Sequence, residues 1–303
     1  MSRLKKYTIA CLTAVLLAFS ALPAAAEIQL PAAYVALGDS LAAGQTPNSE
    51  IDAGYADLIA QELARQQPVA FFSKDLAFPG FTTEDVLERV KSEEAKDLLA
   101  SANIITLSAG ANDLLRLVQA DSEQGSLAFP QIQADFALNN ARENLDEILA
   151  ELKKRAPDAD VYVMGYYFAY PHARESQKAG TAKQLDLLNV ILKQSAEKAG
   201  AVFVPVQGAF GNDSVDKVPN AADVHPNFKG YQAMANAFLD SYQKGWKVEN
   251  GELPKAAPLS FEEITAQQES DRESAISGNP AASRPSEGLE EEYYALREAL
   301  PYV

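Results

Sequence analysis

A serine hydroxyl is a weak nucleophile at neutral pH, so a chain that uses one needs a base within reach of it. Such bases are scarce here: the sequence holds two histidines, His172 and His225. His225 stands in Asp223-Val224-His225-Pro226-Asn227, where a carboxylate in the same loop can hold the imidazole in one tautomer. His172, in Tyr170-Pro171-His172, has no such neighbour. The serine that suits a base of this kind is Ser40, in Gly38-Asp39-Ser40-Leu41 at the end of an apolar run. Serine after a Gly-Asp turn also serves as a helix N-cap, and the two roles are compatible. A nucleophile at the mouth of a strand-to-helix turn is exposed at the sheet edge and gains from nearby N–H groups and the helix dipole. The Gly-x-Ser-x-Gly elbow is absent, because Ala42 stands two residues after the serine. Chemistry of this kind needs no metal and no cofactor.

These residues must be positioned by the elements around them. Ala33 to Leu37 is a short apolar run that leads into the Gly-Asp-Ser turn, and Leu58, Ile59 and Leu63 recur at helical spacing within Tyr55 to Gln66. The pattern is strand, turn, helix. Val69 to Phe72 predicts a second strand, and Thr83 to Val90 a helix capped by Thr82 or Thr83. Ile104 to Ser108 is a β-branched run bounded by Gly110. Asp135 to Arg155 predicts a long helix with Phe136, Leu145, Ile148, Leu149 and Leu152 on its apolar stripe. Strands at Val161 to Gly165 and Val202 to Pro205, with helices at Lys178 to Lys198 and Lys229 to Tyr242, complete the alternation. The expected fold is therefore α/β: a three-layer α/β/α arrangement with a doubly wound, mainly parallel, five-stranded sheet. In such sheets the chemistry lies in loops at the strand C-termini, where Ser40, Gly80, Asn112 and the 206–226 segment fall.

The ends of the chain differ from this middle. Met-Ser-Arg-Leu-Lys-Lys, an uncharged apolar run to about Leu22 and Pro23-Ala24-Ala25-Ala26 together read as a secretory signal peptide over residues 1–26. The run is short for a bilayer span, so export without an integral span is expected, with mature chain from about Glu27. The single cysteine, Cys11, lies in this segment, leaving the mature chain no disulfide and no cysteine-ligated metal. Loss of Arg3, Lys5 and Lys6 takes the formal charge from -16 to -19, so nucleic acid and anionic membrane surfaces should repel the protein. From Glu249 onward there are 12 acidic and 4 basic residues, and Pro, Ser, Glu and Gln accumulate. The expected organisation is a catalytic domain over 27–247 and an acidic, largely disordered tail over 248–303, with a short helix at Leu289 to Leu300. That tail reads as a solvated appendage, with a docking segment for the envelope or a partner as the alternative.

Four blocks, in order, carry a resemblance: Gly38-Asp39-Ser40-Leu41, Phe78-Pro79-Gly80-Phe81-Thr82-Thr83, Gly110-Ala111-Asn112-Asp113 and Asp223-Val224-His225-Pro226-Asn227. Over roughly Tyr34 to Tyr242 the chain resembles the GDSL lipase/acylhydrolases, also called SGNH hydrolases. The resemblance implies Ser40 as nucleophile, His225 as base and Asp223 as the acid that orients it. It also implies an oxyanion hole made by the Ser40 and Gly80 backbone N–H groups and the Asn112 side-chain amide. Glycine lets a backbone N–H approach a developing oxyanion closely, and asparagine offers a neutral donor from a loop. One departure stands out: the family's acid usually precedes the histidine by three residues, where this chain has Ala222, and Asp223 precedes it by two.

Around these positions, Asp39 is expected to bond neighbouring backbone N–H groups and shape the serine turn. Asp113 is expected to cap a helix beginning at Leu114 and to hold its loop. His172 is expected at the surface or pocket rim. Tyr166, Tyr167, Phe168 and Tyr170 read as packing, or as a wall that places one ring against an acyl chain. The resemblance implies an exported serine esterase or lipase acting on short to medium acyl esters of a lipid or an acylated glycan. The alternatives are a carbohydrate O-acetylesterase and a non-catalytic envelope-binding protein on a hydrolase fold.

Overall fold

The structure, a computed structural model, describes residues 30–211, 214–260, 263, 264 and 266. The expected signal peptide and the expected helix at 289–300 lie outside the described residues.

Strand β1 (Ala32–Gly38) is buried at every position, as a strand covered on both faces must be. It pairs in parallel with β2 (Val69–Ala77) on one side and β3 (Ile104–Ser108) on the other. β3 continues to β6 (Asp160–Met164) and then β7 (Val202–Val204), giving the all-parallel order β2-β1-β3-β6-β7. The five strands expected from the sequence are the five in the sheet. Two further strands, β4 (Gln119–Asp121) and β5 (Ser126–Ala128), form a separate antiparallel hairpin.

Helices cover both faces. On one, α2 (Tyr55–Gln66) packs against the last helix, α9 (Phe228–Tyr242). On the other, α6 (Gln131–Arg155) lies between α3 (Thr83–Lys91) and α7 (Glu175–Ala199). Under the first face Tyr34 stacks on Phe72 with ring centroids 5.2 Å apart, and Phe238 and Tyr162 meet edge to face at 4.8 Å. The Tyr34 hydroxyl is paired with Thr106 Oγ1 at 2.8 Å, so the aromatic layer holds no orphaned polar atom at that point. The short helices are α1 (Ser40–Ala43), α4 (Lys96–Ala100), α5 (Ala111–Leu115) and α8 (Val206–Phe210).

Two expectations are corrected, and of the two capping residues expected for α3 one is found. Helix α6 begins at Gln131, and Phe136 is 66% exposed, because the buried stripe runs through Ala134, Leu138, Ala141 and Leu145, two residues and about 200° away. Helix α3 takes its N-cap from Thr82, whose Oγ1 accepts from the Asp85 N–H. The tail boundary expected after residue 247 falls inside packed chain: Val248 is fully buried, and Leu259 forms a backbone bridge with Ile51 in both directions. No helix among the described residues is long and apolar enough to cross a membrane.

Candidate active site

Reading the five strands in sheet order gives the arrangement in which the winding reverses between β1 and β3. A crevice opens there at the carboxyl ends of the strands. Ser40 follows β1 and Asn112 follows β3, so the topology alone brings the two together.

The turn after β1 depends on glycine. Gly38 has φ +134°, and a Cβ there would lie 1.9 Å from the Ser108 carbonyl oxygen of the neighbouring strand. The Asp39 N–H then donates to that same carbonyl at 2.9 Å. Asp39 is the N-cap of α1 and Ser40 its first residue; Asp39 Oδ1 accepts from the Leu41 N–H at 3.0 Å. That much matches the expected turn-shaping role. Sequence reasoning missed the rest: Ser108 Oγ donates to Asp39 Oδ1 at 2.7 Å, and the Tyr166 hydroxyl donates to Oδ2 at 2.6 Å. Burial pushes the Asp39 carboxyl above its usual value despite these donors.

The opposite wall is the loop before α9. His225 Nε2 lies 2.8 Å from Ser40 Oγ, and His225 Nδ1 lies 2.7 Å from Asp223 Oδ1. That same Oδ1 accepts the His225 backbone N–H at 2.7 Å. A carboxylate two residues upstream makes this local turn naturally, which is how a spacing of two brings it to the ring. Burial raises the Asp223 pKa, but the ring and backbone hydrogen bonds from His225 outweigh it, and the carboxyl sits below its usual value. An ionised Asp223 only accepts, so Nδ1 carries the proton and, in the neutral ring, Nε2 faces the serine as an acceptor. This arrangement can draw the Ser40 proton toward Nε2. The loop is braced by the Tyr167 hydroxyl, which donates to the Val224 carbonyl at 2.8 Å, and Tyr167 stacks on Phe210 at 4.0 Å.

The Gly80 and Asn112 loops interlock. Gly80 has φ +82°, a left-handed conformation suited to glycine. Its carbonyl accepts from Arg116 Nη2 at 2.8 Å, and the next carbonyl, of Phe81, accepts from Asn112 Nδ2 at 2.8 Å. One hydrogen of the Asn112 amide is thus committed to holding the side chain in place, and the other is available. Asp113 does not cap a helix at Leu114, since α5 already begins at Ala111. Its carboxylate accepts the Thr83 hydroxyl at 2.7 Å and the Thr83 N–H at 3.0 Å, tying the two loops together. His172 is half-buried, with Nε2 2.8 Å from the Val218 carbonyl oxygen, and stands apart from Ser40.

An apolar cavity of about 90 Å³ opens beside Ser40, His225 and Asn112, walled by Leu114, Leu117, Phe129 and Leu188. Tyr166, Tyr167, Phe168 and Tyr170 all line it, so the aromatic run after β6 is a pocket wall as well as packing. Gly80 is not among the residues that line the cavity. Among the described residues, no group of three or more His, Cys, Asp and Glu is placed to hold a metal ion.

A doubly wound sheet with a serine and a histidine hydrogen-bonded at its switch point has the architecture of an α/β ester hydrolase. Comparison with known sequences gives the particular family: the chain belongs to the GDSL-like Lipase/Acylhydrolase family, whose model matches residues 36–233. It is 27% identical over 217 residues to Lipase 1 of Streptomyces coelicolor, covering 66% of this chain and 77% of that protein. Its fold is similar to that of the lipase Lip_vut3 from a goat rumen metagenome, with TM-score 0.55, 18% identity and coverage of 71% of this chain and 97% of that one. It is also similar to the acetylxylan esterase Axe2 of Geobacillus stearothermophilus, seen as a catalytic mutant, with TM-score 0.52, 19% identity and coverage of 72% and 96%.

Proposed function

We propose that this hydrolase cleaves carboxylic esters through a Ser40–His225–Asp223 triad and an acyl-enzyme. His225 Nε2 takes the Ser40 proton as Oγ attacks the ester carbonyl. The charge that forms on the carbonyl oxygen is held by the Ser40 and Gly80 backbone N–H groups and the Asn112 amide. Asp223 fixes the tautomer and stabilises the imidazolium, which then protonates the departing alkoxide; water, activated by the same ring, releases the acid. The observation that carries this reading is the continuous path from Ser40 Oγ through both ring nitrogens to Asp223, at 2.8 and 2.7 Å.

The substrates are esters of short to medium acyl chains. The cavity beside Ser40 is apolar, walled by Leu114, Leu117, Phe129 and Leu188, and so suits an alkyl chain. An apolar wall favours an alkyl group over the polyol of a glycan acetyl ester. Two further parts of the proposal rest on the sequence: export directed by residues 1–26, and an acidic end of the chain, past the packed residues, that takes no part in catalysis.

The test is Ser40→Ala assayed on p-nitrophenyl esters from acetate to palmitate. Hydrolysis should fall by roughly 10⁴-fold or more, as removal of a nucleophile from such a triad does. Undiminished activity would overturn the assignment.

A further inference from the structure

The Asn112 amide hangs on a single contact. Among the described residues its side chain makes one hydrogen bond, from Nδ2 to the Phe81 carbonyl oxygen at 2.8 Å. Where the amide points is therefore decided by where Phe81 sits, and Phe81 lies in the irregular loop just before the Thr82 N-cap of α3. The Phe81 N–H reaches the Phe78 carbonyl at 3.3 Å, longer than the usual range, so the backbone closes the turn around Gly80 only loosely. The rings hold it better. Phe81 is buried, and its ring stacks on that of Phe78 with centroids 4.8 Å apart and planes 25° from parallel.

A cation completes the stack. Arg89 stands in the last turn of α3, and helical side chains lean toward the helix N-terminus, so it reaches back toward the loop that starts its own helix. Its guanidinium carbon lies over the Phe78 ring, 4.8 Å from the centroid. Arg89 Nε is buried and has no hydrogen-bond partner among the described residues. An edge of the guanidinium that has left water without gaining an acceptor answers to the negative face of the ring, and desolvation strengthens that attraction. The contacts run from Arg89 through Phe78 and Phe81 to Asn112, which lines the cavity beside Ser40, while Arg89, Phe78 and Phe81 do not line it. Arg116 holds the same loop by the Gly80 carbonyl, so the backbone of the turn and its rings are fastened by different cations.

We propose that Arg89 is a positioning residue for ester hydrolysis: its cation holds the Phe78 and Phe81 rings in register, and through the Phe81 carbonyl it aims the Asn112 amide at the developing oxyanion. It touches neither the substrate nor the reacting atoms. The inference rests on the oxyanion role given to Asn112 above and extends it to a residue outside the cavity.

The experiment is a double-mutant cycle on p-nitrophenyl butyrate with wild type, Arg89→Met, Asn112→Ala and the two together. Active sites are counted by labelling to completion with a fluorophosphonate, so that kcat refers to folded protein alone. Asn112→Ala should lower kcat about 100- to 1000-fold, as loss of an oxyanion donor does. Arg89→Met should lower kcat per site about tenfold with KM changed less than about twofold, since the amide it aims meets charge that exists only in the transition state. In the Asn112→Ala background the same change should cost less than about twofold, because the group it aims is gone. Arg89→Lys, which keeps a cation for the ring, should come within about threefold of wild type. Should Arg89→Met not fold, Phe78→Leu takes its place in the cycle with the same expectations. Equal losses in both backgrounds, or fewer labelled sites with unchanged kcat per site, would show a merely structural role and overturn the inference. An Arg89→Met loss below about twofold beside an impaired Asn112→Ala would overturn it alone, leaving the oxyanion reading intact. An Asn112→Ala protein within about twofold of wild type would remove the oxyanion role of Asn112 and this inference with it.

Discussion

The two sides of the Ser40–His225 contact are built differently. The serine side is a rigid corner of the sheet: Gly38 presses on β3, and Asp39 is gripped by Ser108 and Tyr166, residues 69 and 127 positions away in sequence. The histidine side is a loop whose main grip is local, with Asp223 holding both the backbone and the ring of His225 two residues on. Their carboxylates titrate in opposite senses. Burial holds the Asp39 carboxyl above its usual value, whereas hydrogen bonding from His225 holds that of Asp223 below it. Ser40 is thus placed by packing at the expense of charge comfort, and His225 is placed by a charge that packing tolerates.

The strongest way to break the serine side is Gly38→Ala. A Cβ 1.9 Å from a backbone oxygen, at φ +134°, cannot be relieved by a rotamer change, so the strand itself must move. The expected loss is roughly 4 kcal/mol or more, read by chemical denaturation, and a loss below about 1 kcal/mol would show that the corner yields. On the histidine side, Asp223→Asn removes the charge but keeps the shape. Activity should fall on the order of 10²- to 10⁴-fold with little change in melting temperature, because the amide oxygen can still accept the backbone N–H while the preferred tautomer is lost. A fall of less than about tenfold would mean that another group orients His225.

The smallest and most discriminating effect is that of Tyr166→Phe, which deletes one donor to Asp39. About 1.5–3 kcal/mol of stability should be lost near neutral pH, the cost of a hydrogen bond to a charged group. The sign with pH follows from the raised carboxyl. Burial holds the folded Asp39 carboxyl above its usual value, and removing a donor to its charged form raises that pKa further. The deficit should therefore shrink as pH falls through the folded Asp39 value. Asp223 works in the reverse direction: its contribution is present above the ordinary carboxylate pKa and fades as pH falls through its depressed folded value. Melting curves of both proteins from about pH 4 to about pH 8 separate the two cases. A deficit that stays constant with pH would show that Tyr166 acts by packing alone.

Much of this was legible in the residues. Apolar runs and helical spacing placed all five strands of the parallel sheet, and the alternation of the two placed the serine and the asparagine at strand ends. The histidine with a nearby carboxylate was visible because histidines are so few. What escaped depended on partners distant in sequence. Nothing local to Gly-Asp-Ser announces Ser108 or Tyr166, and nothing beside Asn112-Asp113 announces that Asp113 reaches across to Thr83. The β4–β5 hairpin escaped because three-residue strands are too short to show alternation. Phe136 was misread since a large apolar residue near a stripe looks like part of it until the helix phase is known. Residues 248–260 were misread because a segment rich in Pro and Glu can still be held by a few specific contacts.

Those contacts bear on how the protein can be shortened. Ile51 exchanges backbone hydrogen bonds with Leu259 and forms a further bridge with Gln45. Nearby, Asp52 Oδ2 accepts from the Ala257 N–H at 3.0 Å, and Gln61 Nε2 donates to the Glu252 carbonyl at 3.0 Å. The stretch before residue 260 is therefore a clasp on the loop that leaves the Ser40 helix, fastened at several points. Ile264, just beyond the clasp, also packs against the core, so a shortened chain for crystallisation or display should keep it. A cut at the compositional boundary near Trp246 would bare Ile51 and unfasten the back of the serine corner, so a truncated enzyme that lost activity would be reporting on a missing strap rather than on a missing partner.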